Sequence, residues 1–110
     1  MAIQLSNIVI AAALPDPKGN QNNEWLELRN ISVSPISLEG WYLSDQLSRL
    51  YILDGIIEAT EHKQFHIRSE HPHSMQLGNS SGLIALYSSD GIFVFIVTYK
   101  QTTPRNIVIF

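Results

Sequence analysis

A chain of 110 residues is enough for one domain with one core, and the absence of cysteine excludes any disulfide, so packing alone must hold it together. Seven Lys and Arg, no two adjacent, stand against ten acids for a net charge of −3. Nucleic-acid binding needs clustered cations that release counterions, so the composition excludes it as a partner. Charged residues are 15% of the chain, below the roughly 25% of an average soluble domain. Such a surface resists self-association weakly.

In chain order, the sequence reads as strand after strand. Ile3 to Leu14 is a first strand ending at Pro15. Its apolar run, Ile8 to Leu14, is far too short to span a bilayer, so no membrane insertion is expected. Asp16 to Asn22, with Pro17 and Gly19, is a loop. Leu26 and Leu28 then alternate with Glu27 and Arg29, the period-2 pattern of a strand with one wet face. Asn30 to Pro35 reads as a turn. In the following run Ile36 and Leu38 share a face, but Trp41 and Leu43 fall out of phase with them, with Gly40 at the shift. An extra residue at a glycine predicts a β-bulge.

Leu50 to Leu53 is a short strand closed by Asp54-Gly55, a tight-turn signal. Ile56 and Ile57 lead to Lys63-Gln-Phe65-His-Ile67, with Phe65 and Ile67 on one face. Arg68 to Ser74 is a polar loop. Leu83 to Tyr87 is a strand, Ser88 to Gly91 a hairpin turn, and Ile92 to Tyr99 the returning strand. Thr102 to Arg105 breaks the pattern, and Asn106 to Phe110 is a final apolar piece. Strands at this density, linked by turn residues and with no helical pattern, predict an all-β fold. It is an immunoglobulin-like antiparallel sandwich of about seven to nine strands.

The coupled motifs Asn23-Glu24-Trp25-Leu26-Glu27-Leu28-Arg29-Asn30 and Leu38-Glu39-Gly40-Trp41-Tyr42-Leu43-Ser44-Asp45 resemble the lamin-tail domain family in its bacterial form. Later stretches, Leu77-Gly-Asn79, Ile84-Ala-Leu86-Tyr87, Asp90-Gly91 and Val97-Thr-Tyr99, resemble that family's later strands, so the likeness covers about residues 3 to 99. Two positions depart from the family pattern. Ser81-Gly82 stands where Gly-Asp is common, and Phe95 where an acid is common, so an acidic site does not carry over. The resemblance implies one domain over 1–110, with a core of about 3–99 and a C-terminal extension strand over 100–110. It implies a non-enzymatic scaffold or protein-interaction role with no cofactor. The alternatives are an accessory module of a larger, secreted hydrolase or nuclease, and a divalent-cation-binding β-domain. Filament assembly does not carry over, because the chain has no heptad segment.

Candidate chemistry is sparse. Asp16, Asn20, Asn22, Asn23 and Glu24 offer hard oxygens, but their spacing does not match a helix-flanked calcium loop. His62 and His66 lie on one face of a strand, and His71 and His73 flank Pro72 beside Glu70. Asp16, Glu24, His71 and His73 are thus weak metal candidates, with turn formation and a polar surface as the simpler roles. Glu24 and Glu27 fall on opposite faces of a strand and cannot converge as a hydrolytic pair. Neither a nucleophile elbow nor a phosphate-cradling glycine loop is present, so no catalytic residue is assigned.

The expected core is Leu26, Leu28, Leu38, Trp41, Leu43, Ile84 and Leu86. What stands out is apolar excess on both faces of Ile8–Leu14 and Ile92–Val97. Either a neighbouring loop or the C-terminal Ile107–Phe110 covers the outer faces, or Phe93 or Phe95, with one face of the first strand, forms a patch for another protein or a second copy, with Ile107, Ile109 and Phe110 as further interaction residues. The C-terminal piece is also expected to add to a partner's open edge. No basic leader with an apolar segment opens the chain. Localisation stays open: cytoplasmic for a complete chain, extracellular for an excised module.

Overall fold

The computed structural model describes residues 7–15, 24–67, 75, 77, 81–100 and 107–110. Ten strands run in chain order: β1 (Ile8–Leu14), β2 (Trp25–Asn30), β3 (Ile36–Ser37), β4 (Tyr42–Ser44), β5 (Leu50–Ile52), β6 (Ile56–Ile57), β7 (His62–His66), β8 (Ser81–Tyr87), β9 (Phe93–Lys100) and β10 (Val108–Ile109). Two four-stranded antiparallel sheets, β10-β1-β2-β7 and β5-β4-β8-β9, form an immunoglobulin-like sandwich, with a small β3-β6 ribbon beside them. Among the described residues, no helix is long and apolar enough to cross a membrane.

The two sheets meet over alternating side chains. Ile8, Ile10, Leu26, Leu28 and Phe65 are buried from one sheet, and Leu43, Ile84, Leu86 and Tyr99 from the other. Residues between strands complete the core, with Leu38, Leu53, Ile57, Ile67, Met75 and Leu77 all buried. Trp41 differs from the sequence expectation in degree. It is only partly buried and packs against the core from its margin.

Bulges in both suspect strands decide which of their apolar side chains face the core. In β1 the register jumps from Ile10 opposite Leu28 to Ala12 opposite Glu27, so Ala11 is an inserted residue. Before the bulge Ile8 and Ile10 point inward; after it Ala13, opposite Leu26, takes over. One extra residue flips the alternation, so the inward face changes phase along the strand while Val9, Ala12 and Leu14 keep the outer face apolar. In β9 the register moves from Leu86 opposite Phe95 to Tyr87 opposite Phe93. Val94 is the extra residue, and it sends Phe93 and Phe95 to opposite faces.

At Gly40 the expected β-bulge is replaced by a turn. β3 pairs with β6, whereas β4 pairs with β5 and β8, so the chain changes sheets between Ser37 and Tyr42. Trp41 N donates to Leu38 O at 2.9 Å, and Gly40 takes φ of 79°, a conformation glycine adopts without a Cβ penalty. The phase shift was legible; its cause is a crossing rather than a bulge within one strand. The same holds for Asp54-Gly55. Gly55 has φ of 84°, but β5 and β6 lie in different sheets, so this turn crosses between them instead of closing a hairpin. The Ser88–Gly91 turn does close a hairpin, with Ser88 N donating to Ile92 O and Gly91 N to Ser88 O.

Candidate interaction surface

Two polar residues at the ends of the sequence motifs fix the loops that frame the site. Asn30 is fully buried at the end of β2. Its Nδ2 donates to Ser34 O at 2.8 Å and Ile57 O at 2.9 Å, while its Oδ1 accepts from Ser32 N and Ser32 Oγ. One amide thus closes the Asn30–Pro35 turn and ties it to β6. Asp45 does the same after β4. Its Oδ1 accepts from Leu47 N and Arg49 N, and its Oδ2 takes Arg49 Nε at 2.7 Å. That clasp turns the chain back into β5 and fixes where Leu50 and Ile52 stand.

With β5 so placed, the outer face of the β5-β4-β8-β9 sheet can be read row by row. Tyr51 points inward, edge-on to Phe65, so Leu50 and Ile52 must point out. One row runs Ile52, Tyr42, Tyr87, Phe93 across all four strands. The Tyr42 and Tyr87 rings stack at 5.0 Å and 11°, and Phe93 meets Tyr87 edge-on at 6.0 Å. The next row runs Leu50, Ser44, Ala85, Ile96. Ile52 is 65% exposed, Leu50 48%, Phe93 45% and Ile96 45%. These two rows contain no charged side chain. Where the sheet meets the β3 side, a groove of about 480 Å³ is lined by Asn7, Ile36, Trp41, Ser88, Ile92, Phe93 and Val94.

The expected interaction residues are divided by this geometry. Phe93 lies on the outer face. Phe95 does not: it is opposite Leu86, partly buried and packed on the core. Ile107, Ile109 and Phe110 are exposed, but they belong to the edge of the other sheet. There β10 pairs with β1 of its own chain, Ala12 opposite Ile109, and Phe110 N donates to Ala11 O. The C-terminal piece expected to add to a partner's edge is therefore added to its own chain's edge. Val108 packs on the core, and Phe110 leans on Tyr99 at 6.4 Å. Tyr42, Tyr87, Leu50, Ile52 and Ile96 were not foreseen as surface. The signal for Leu50 and Ile52 was their period-2 spacing around Tyr51.

The weak metal candidates do not come together. Asp16, His71 and His73 lie outside the described residues. Glu24 is buried just before β2, where its carbonyl accepts from Ile67 N. Glu27 faces Gln64 across the strands rather than a cation, and His62 and His66 are exposed on β7. Among the described residues, no group of three His, Cys, Asp or Glu could hold a metal ion.

Comparison with curated proteins finds no match for the chain. The family model of the Lamin Tail Domain matches residues 2–101. The match takes in both motif strands, the sheet crossing at Gly40 and the buried Asn30 and Asp45, and the chain belongs to the lamin tail domain family.

Proposed function

We propose that this lamin-tail-type module is a non-enzymatic protein-interaction or scaffold module that binds through the outer face of the β5-β4-β8-β9 sheet. One observation carries the reading: two adjacent uncharged rows cross four strands and expose Ile52, Leu50, Phe93 and Ile96 around the half-buried, stacked Tyr42 and Tyr87. Contiguous apolar area of this kind marks an interface, and aromatic side chains supply much of the energy at such surfaces. Covering a residue as exposed as Ile52 contributes about 1–2 kcal/mol. Several such residues in register make a binding face of useful strength.

The test compares the wild-type chain with the double variant Ile52→Lys, Phe93→Lys in parallel affinity capture, with circular dichroism to show that both fold. Proteins retained by the first and lost by the second support the face as the binding surface. An identical set on both baits sinks it.

A further inference from the structure

We propose that β9 pairs antiparallel with β9 of a second copy of this chain, joining two four-stranded sheets into a continuous one. The proposal rests on the reading of the chain as an interaction module and adds a second surface, the β9 edge, whose partner is another copy of the chain. Open sheet edges invite pairing, and proteins blunt them with short strands, charges or proline. Three edges among the described residues are blunted in this way. β10 has two residues and β5 three, while β7 carries exposed His62, Lys63, Gln64 and His66. β9 is different. It has eight residues, no proline, and no charge before Lys100. Its bulge sits at the N-terminal end, leaving the ladder regular from Phe95 onward. Among the described residues its one strand partner is β8.

Charge identifies the occupant. Asp90 lies in the turn that opens the strand and Lys100 closes it. Antiparallel self-pairing brings each Lys100 toward the Asp90 turn of the other copy, whereas parallel pairing would set Lys100 beside Lys100. Although each chain carries −3, no acid lies between Gly91 and Lys100 to oppose the approach. Register follows from parity. Residues directly opposite must share a face, so the two-fold axis passes through a residue, not between two. With the axis at Ile96, the strand's centre, Phe95 meets Val97 on the core side and Ile96 meets Ile96 on the outer side. Past the Val94 bulge the count shifts by one, so Thr98 falls opposite Phe93 and Lys100 opposite Gly91, beside Asp90 in the turn and within reach of a long side chain. The outer apolar rows continue across the junction, and a two-fold dimer closes without leaving a repeating edge.

Sedimentation velocity over a wide concentration range is the first test. The expected species has twice the 12.4 kDa chain mass. It is lost in Ile96→Lys, which apposes two cations at the axis, and kept in Ile52→Lys, at the opposite edge of the same face. Because the chain has no cysteine, Ile96→Cys places a single thiol at the axis. Opposed Cα atoms in an antiparallel pair lie about 4.5–5.5 Å apart, inside the range a disulfide spans. Oxidation should therefore yield a covalent dimer from Ile96→Cys and none from Thr98→Cys, whose two copies sit four residues apart along the strands. A wild-type monomer at every concentration overturns the proposal without touching the binding-face reading. A dimer broken by Ile52→Lys but not by Ile96→Lys overturns the edge and favours face-to-face contact. Equal cross-linking of both cysteine variants overturns the register.

Discussion

Replacing Gly82 by alanine should destabilise this protein, although the same change in most strands does the reverse. An interior strand glycine is ordinarily worth about 0.5–1 kcal/mol less than alanine, because the unfolded chain is freer. Gly82 has no need of a left-handed conformation, so its reason lies across the ladder. It stands opposite Tyr99, and a Cβ there would overlap Tyr99 Oη and sit 2.5 Å from Cζ and 2.8 Å from Cε1. Tyr99 is only 6% exposed and leans on Phe110, so its ring cannot turn aside without leaving the core. Overpacking of this sort costs about 1–3 kcal/mol. Set against the intrinsic gain, the net expected loss is about 1–2 kcal/mol. Urea unfolding followed by circular dichroism reads this directly. With a slope of about 2 kcal/mol per molar, the middle of the range for a small protein in urea, the midpoint should fall by about 0.5–1 M at unchanged slope. A cycle with Tyr99→Leu adds the decisive control. Once the ring is gone, Gly82→Ala should be neutral or stabilising, and the two changes should couple strongly. A Gly82→Ala variant as stable as wild type, with Tyr99 present, would refute the reasoning.

Two further predictions concern the buried clasps. Asn30→Asp keeps the oxygen that accepts from Ser32 but turns a second oxygen toward the carbonyls of Ser34 and Ile57, now without a donor. At neutral pH it should cost about 2–4 kcal/mol. The new carboxyl is held toward its protonated form in the fold, so the deficit should shrink as pH falls; a thermal melt insensitive to the substitution would contradict this. Asp45→Ala removes the acceptor shared by Leu47 N, Arg49 N and Arg49 Nε. It should cost about 2–3 kcal/mol, and hydrogen exchange should show lost protection at the Leu47 and Arg49 amides first. Unchanged protection there would mean the loop holds its shape without the carboxylate.

The sequence by itself determined what is local. Leu26 and Leu28 alternate with polar neighbours, so their strand and its inward face were legible, and they are fully buried. The Ser88–Gly91 turn and the inward pairing of Phe65 with Ile67 were legible for the same reason, since turn chemistry and period-2 spacing belong to the chain alone. The family likeness rested on motifs whose final residues, Asn30 and Asp45, are ordinary polar residues in sequence. Their burial could not be read there, because it depends on carbonyls and amides that the turns deliver only after folding. What the tertiary structure decided is phase and partnership. A bulge exists only relative to a partner strand, so Ala11 and Val94 gave no sign that they invert the faces of β1 and β9. That inversion is why Phe95 packs on the core while Phe93 stays outside. Likewise Leu50, Ile52 and Tyr42 form one surface with Phe93 because β4 and β8 happen to lie between them. Sequence spacing fixes which way a side chain points along its own strand; only strand order decides which distant side chains become its neighbours.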